Sequence, residues 1–198
     1  MSNNEIAVNP AASDDTDSAN STLDKASVLL HWLTGWTIIG LLALGIYMEE
    51  NEAWHLYDLH KSLGALIFVI ALIRVWRRIR QGWPEPVSQY SKLEQSLSKL
   101  VHYVLLIGSV LIPLSGIVMS VAGGNGLGVF GLELIAENPD PANPGQSAPL
   151  FGPLAGMAHG MHGMISNLVI AALVLHIVGA LKHHLIDKDR TLSRMLGR

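Results

Sequence analysis

Four apolar segments of this chain, at about 26–48, 59–76, 97–121 and 159–181, come close to the roughly 20 residues that a helix needs to cross the bilayer hydrocarbon. A segment in hydrocarbon must satisfy its own backbone hydrogen bonds, which makes each of them a helix. With 49% hydrophobic and only 15% charged residues over 198 positions, the chain departs from soluble composition. The expected fold is all-α: an integral membrane four-helix bundle, spanning 25–186.

The last apolar stretch, 157–185, carries His162 and His176 fourteen residues apart among apolar or small residues. Two heptads put both imidazoles on one inward face of a left-handed bundle, roughly 21 Å apart along the axis. Metal-ligating side chains inside a membrane segment are costly and call for partners. His31, early in helix 1, lies at the depth of His176, and His60, at the start of helix 2, lies at the depth of His162. Two imidazoles approaching a cavity from opposite sides suit the axial ligation of a b-type haem, a flat apolar ring at home in a helical bundle. Zinc would want further ligands that these stretches do not supply. The absence of cysteine excludes disulfides, iron–sulfur clusters and covalent haem attachment. The expectation is two non-covalent haem b groups, with His31, His60, His162 and His176 as the metal ligands.

Other polar residues rank behind these four. Arg74 lies two heptads after His60, near the opposite membrane face; it either snorkels or pairs with an anion there, the candidate anion being a haem propionate. His102 opens helix 3 and either contacts a propionate or quinone or is a polar helix terminus. His159 competes with His162 but sits off its face. His183 and His184 are expected at the interface, and His55 in a loop. Pro113 is expected to kink helix 3, with Gly116 leaving room beside it.

Lys and Arg are absent between Lys25 and Lys61, and again between Lys99 and Lys182. The positive-inside rule then places both termini and the 2–3 connection in the cytoplasm and the other two connections outside. Asp24 is the expected N-cap of helix 1. Residues 1–24 read as a disordered cytoplasmic tail, 122–156 as a long outer loop with a short surface helix at 130–137, and 187–198 as a basic cytoplasmic tail. The Gly-rich run 124–128 follows a membrane helix instead of a strand, which argues against a phosphate loop.

The residues Leu30-His31-Trp32, Leu59-His60-Lys61-Ser62-Leu63-Gly64, Val101-His102-Tyr103, Pro113-Leu114-Ser115-Gly116 and His183-His184 followed by Asp187-Lys188-Asp189-Arg190-Thr191-Leu192 resemble the bacterial cytochrome b561 family. That family is related to the membrane b-type subunits of nickel-iron hydrogenases and formate dehydrogenases. The resemblance covers the chain from about residue 26 onward. It implies that His31, His60, His162 and His176 hold two b haems, and that electrons pass between an outer-side redox partner and the quinone pool of the bacterial inner membrane. One similar family member oxidises superoxide and reduces ubiquinone, helped by a basic outer funnel; here the outer connections carry acids and Lys61 alone. Three functions remain open on this reading: a quinone-linked electron carrier, a superoxide:ubiquinone oxidoreductase, and the membrane anchor of a periplasmic dehydrogenase docked through the 122–156 loop. Membrane lipid is the expected surroundings, nothing points to nucleic acid, and the oligomeric state is open.

Overall fold

The structure, a computed structural model, describes residues 24–83 and 90–197. Its frame is four long helices: α1 (Lys25–Glu50), α2 (Tyr57–Gln81), α3 (Lys92–Ala122) and α4 (Gly152–Leu185). A short α5 (Thr191–Met195) follows. All four long helices are long and apolar enough to cross a membrane. Large apolar side chains such as Leu29 (67% exposed) and Leu168 (55%) face outward, as a lipid-solvated bundle requires. Of the expected tail 1–24, residues 1–23 lie outside the described residues, and Asp24 is the cap of α1.

The helices overrun the apolar segments because polar residues cap them in the headgroup zone. Asp24 caps α1 by accepting from the Ser27 amide at 3.3 Å, and its carboxylate also pairs with Arg77 of α2. Ser91 opens α3 through a reciprocal capping box with Glu94, five residues before the apolar run begins. α2 stops at Gly82, whose φ of 71° is left-handed. α4, with 34 residues, is about 51 Å long. α3 continues unbroken through Pro113, so the proline does not end the helix.

α3 and α4 form the most intimate pair in the bundle. At Gly108 a Cβ would stand 2.3 Å from Val169 Cγ2, so the missing side chain is what lets these two helices touch. α1 packs on α2, and α2 on α3. α1 and α2 make at most marginal backbone approach to α4, which leaves space between them.

One end of the bundle carries the α1–α2 turn and the α3–α4 connection, here termed the loop end; the other, the tail end, carries the start of α1 and the chain's C-terminal part. The expected surface helix at 130–137 is not there. A hairpin stands in its place, with β1 (Leu127–Val129) antiparallel to β2 (Leu132–Ile135). Gly126 and Gly131, with φ of 57° and 85°, and Phe130 at φ 49° make the tight turns that a helix would not accept. The hairpin is tied to α2: Ser62 Oγ accepts from the Phe130 amide at 2.9 Å, and Lys61 Nζ donates to the Asn125 carbonyl at 3.3 Å. At the tail end, Trp32 Nε1 donates to the Met195 carbonyl at 2.7 Å, folding α5 back toward α1.

Gly108→Ala is expected to lower the unfolding free energy by about 1–3 kcal/mol, because the added methyl overpacks the α3–α4 contact. Thermal unfolding in detergent checks this, and Gly108→Ala with Val169→Ala should be more stable than Gly108→Ala alone.

Candidate functional site

Helix periodicity delivers the facing pairs. His162 and His176 both project from α4 toward the space that α1 and α2 leave open. At the loop end the rings of His60 and His162 stand 6.3 Å apart, centroid to centroid. At the tail end His31 and His176 stand 6.1 Å apart. Two imidazoles bonded to opposite faces of one metal ion, at about 2.0 Å per nitrogen, have centroids roughly 6.3 Å apart. Both spacings therefore suit one ion between two rings.

At the loop end, His162 Nδ1 lies 3.0 Å from the Ile112 carbonyl and 3.1 Å from Ser115 Oγ. A carbonyl only accepts, and the Ser115 hydroxyl already donates its hydrogen to that same carbonyl at 2.7 Å. The proton consequently sits on His162 Nδ1, and Nε2 keeps its lone pair as a ligand atom. His60 Nδ1 is buried with no hydrogen-bond partner among the described residues. Two glycines make room: a Cβ at Gly116 would come within 3.2 Å of the His162 ring, and one at Gly45 within 3.5 Å of His60.

At the tail end a third imidazole joins. The His102 ring is 5.1 Å from that of His176, edge on, and its Nδ1 is held 2.6 Å from the Ser98 carbonyl. That separation is about 1 Å too short for an ion between two facing rings, so His31 is the better-spaced partner of His176. Arg74 Nη2 donates to His31 Nδ1 at 3.1 Å. Arginine has no acceptor, so in this arrangement the His31 proton is on Nε2, opposite to the tautomer set at His162. Trp83 lies against both His102 (6.0 Å) and Tyr103 (4.9 Å).

The remaining histidines are elsewhere. His159 is exposed, with Nδ1 3.2 Å from Met119 Sδ. His55 and His184 are exposed as well. His183 Nδ1 lies 2.9 Å from Asp187 and 3.1 Å from Asp189. Burial raises the Asp189 pKa, but hydrogen bonds from Tyr90 and Thr191 outweigh it and hold the carboxyl below its ordinary value. Sequence reasoning gave no role to Ser115 or Gly45. Ser115 stands 47 positions from His162, and only the packing of α3 on α4 joins them.

The donor set fits haem. It consists of two imidazole pairs at metal-compatible spacing in an apolar interior, glycines beside two of the rings, and one guanidinium where an acidic group would need a counter-ion. The family profile described as prokaryotic cytochrome b561 matches residues 23–198. This chain belongs to that family. It is 33% identical over 178 residues to cytochrome b561 homolog 2 of Escherichia coli K12, covering 87% of this chain and 89% of that protein. It is 28% identical over 173 residues to a probable superoxide oxidase, CybB, of Yersinia pestis, covering 84% and 91%. Cytochrome b561 homolog 1 of Escherichia coli K12 is 23% identical over 182 residues, covering 88% and 96%. The chain is thus a multi-pass bacterial membrane cytochrome of the b type, with electron transfer as its function.

Gly116→Val should crowd the His162 ring and lower bound haem per protein, read from the haemochrome spectrum. Gly179→Val, where an added Cβ meets nothing within 4 Å, should leave haem content unchanged.

Proposed function

We propose that this cytochrome holds two b haems, one between His31 and His176 and one between His60 and His162, and links an outer-side redox partner to the membrane quinone pool. The observation that carries the reading is the pair of metal-compatible ring separations, 6.1 and 6.3 Å, at opposite ends of one 34-residue helix. Two stations on one helix, roughly 21 Å apart by helix rise, divide the apolar thickness into shorter steps. When bound, haem supplies a one-electron iron couple.

The chain's own residues do the rest. Ser115 and the Ile112 carbonyl fix the His162 tautomer, so its ligand nitrogen faces His60 without rearrangement. The apolar helices exclude water and lower the local dielectric, which strengthens the influence of any nearby charge. Arg74 is the cation of the tail-end site, and a haem propionate is the anion that its depth in the bundle asks for. In that state Arg74 releases His31 Nδ1 and its proton can move from Nε2 to Nδ1, freeing the ligand nitrogen. His102 and Trp83 flank this end, where a quinone head group would meet a histidine hydrogen-bond donor and an aromatic surface. By the distribution of Lys and Arg, the tail end is cytoplasmic and the loop end is outside.

The Yersinia relative's name favours a second reading, superoxide oxidation at the outer face with ubiquinone as acceptor. Stopped-flow mixing of the oxidised protein with superoxide decides it: haem reduction no faster than dismutation allows rules this reading out.

His31→Ala and His176→Ala should each remove the same haem, and His60→Ala and His162→Ala the other, leaving about half the haem in every single variant. A redox-titrated optical spectrum reads it; loss of one shared haem from His31→Ala and His60→Ala overturns the pairing. Arg74→Gln should lower the potential of the tail-end haem, since a nearby cation favours the reduced iron, while leaving the loop-end haem unchanged.

A further inference from the structure

The loop end carries seven carboxylates in its two connections and one ammonium, that of Lys61. Glu49, Glu50, Glu52, Asp58, Glu133 and Glu137 are all exposed. Asp140, half-buried, is held below the usual carboxylate range by the Asn143 side chain, so it too is ionised. Lys61 offsets only one of them, Asp58, so seven carboxylates less one ammonium leave six net negative charges. Its ammonium lies 3.2 Å from Asp58 and 3.3 Å from the Asn125 carbonyl and stands over the Tyr57 ring at 4.9 Å, and its side chain is only 10% exposed. Membrane topology explains why Lys and Arg are missing here, but Asp and Glu contribute little to that rule, so the acids need another reason.

A second feature lies on the same face. All four residues of β2 are exposed, Leu132 (65%) and Leu134 (55%) among them, and the strand's outer edge is unpaired among the described residues. Phe130 at the hairpin tip and Trp54 in the α1–α2 turn are exposed to a similar extent. Apolar groups set among like charges form the usual anatomy of a protein–protein contact, with an apolar centre and a polar rim. An anionic lipid surface is a poor occupant, because carboxylates beside the hairpin repel it. The face also lies directly over the loop-end pair. The hairpin is pinned to Lys61 and Ser62, the two residues after His60, and Glu49 is one helical turn from Gly45, where an added Cβ would stand 3.5 Å from the His60 ring.

We propose that the loop-end face is an electrostatic docking surface for a soluble redox protein with a basic face, seated on the β2 edge and steered by the surrounding carboxylates. This rests on the reading of His60 and His162 as the outer redox station, and it names the partner class for that station. The same field repels small anions, superoxide included.

The test uses the haem-loaded protein in zwitterionic-lipid nanodiscs, with basic mitochondrial cytochrome c as the probe and lysine-acetylated cytochrome c, of the same fold, as its charge-reduced counterpart. Native cytochrome c should bind at about 20 mM ionic strength, and at least tenfold more weakly at about 200 mM. Acetylated cytochrome c should bind at least tenfold more weakly at low salt. The combined Glu49→Gln, Glu50→Gln, Glu52→Gln, Glu133→Gln, Glu137→Gln variant should lose most of the salt-dependent binding. Leu132→Ser with Leu134→Ser should weaken binding and keep its salt dependence. Equal binding to empty nanodiscs, or binding untouched by the amide substitutions, overturns the proposal. So does a cross-link between β2 strands of two copies, or strong quenching of a Phe130→Trp reporter by brominated lipid, either of which names a different occupant. Binding is also read on His60→Ala with His162→Ala. Retained binding with the loop-end haem lost supports both readings; retained binding with haem content unchanged leaves the docking surface standing and removes the haem assignment.

Discussion

An imidazole in the middle of an apolar helix has to be satisfied from across the bundle, since lipid offers it nothing. That requirement organises this molecule. His162 and His176 point from α4 at two helices that barely approach it, while α3, which does approach it, yields a glycine at two close contacts: Gly108 against Val169 and Gly116 against the His162 ring. The bundle is therefore tight on one side of α4 and open on the other. The open side is where the facing rings of His31 and His60 stand.

The two ends solve the same problem differently. The loop-end His162 is held by groups that can only accept its Nδ1 proton, a carbonyl and a hydroxyl whose hydrogen is already committed. Its free nitrogen is set before any cofactor arrives. The tail-end His31 is held by a donor, Arg74, which fixes the opposite tautomer. Arg74 is bonded to the tail-end ring, whereas the loop-end cation, Lys61, is paired with Asp58, so the two ends are electrostatically unequal, and in a low-dielectric interior that inequality is not screened away. On the proposed two-haem reading, that inequality would set the two stations at different potentials, which two identical sites would not do.

Much of this was legible in the chain. Four apolar runs state the helices because only a helix satisfies its backbone in hydrocarbon, and two-heptad spacing states which histidines share a face. Asp24 announces the start of α1 because a capping carboxylate acts locally. The failures were equally physical. The early start of α3 at Lys92 follows from the Ser91–Glu94 capping box in a polar stretch that an apolar count passes over. The segment 130–137 alternates apolar and acidic residues in a pattern compatible with a short surface helix, but glycines at 126 and 131 and the tie to Ser62 turn it into a hairpin. Ser115, Gly45 and the Arg74–His31 bond depend on residues 15 to 47 positions apart meeting in space, which local patterning does not encode.

The family frame and the loop-end face carry different information. Membership of an electron-transfer family describes the bundle as a whole, and the similarity to the Escherichia coli and Yersinia proteins extends over most of its length. What it exchanges electrons with is decided where it meets water, by side chains that bear no load in the bundle. A reactant anion needs a face that attracts it, and here the single ammonium is turned inward while the carboxylates remain outside. Coulomb forces at an exposed surface are weak pair by pair, yet the carboxylates of this face, with only Asp58 paired to an ammonium, act together on whatever approaches. The sign of that sum favours a large basic protein over a small anion, and it does so without altering a residue of the interior.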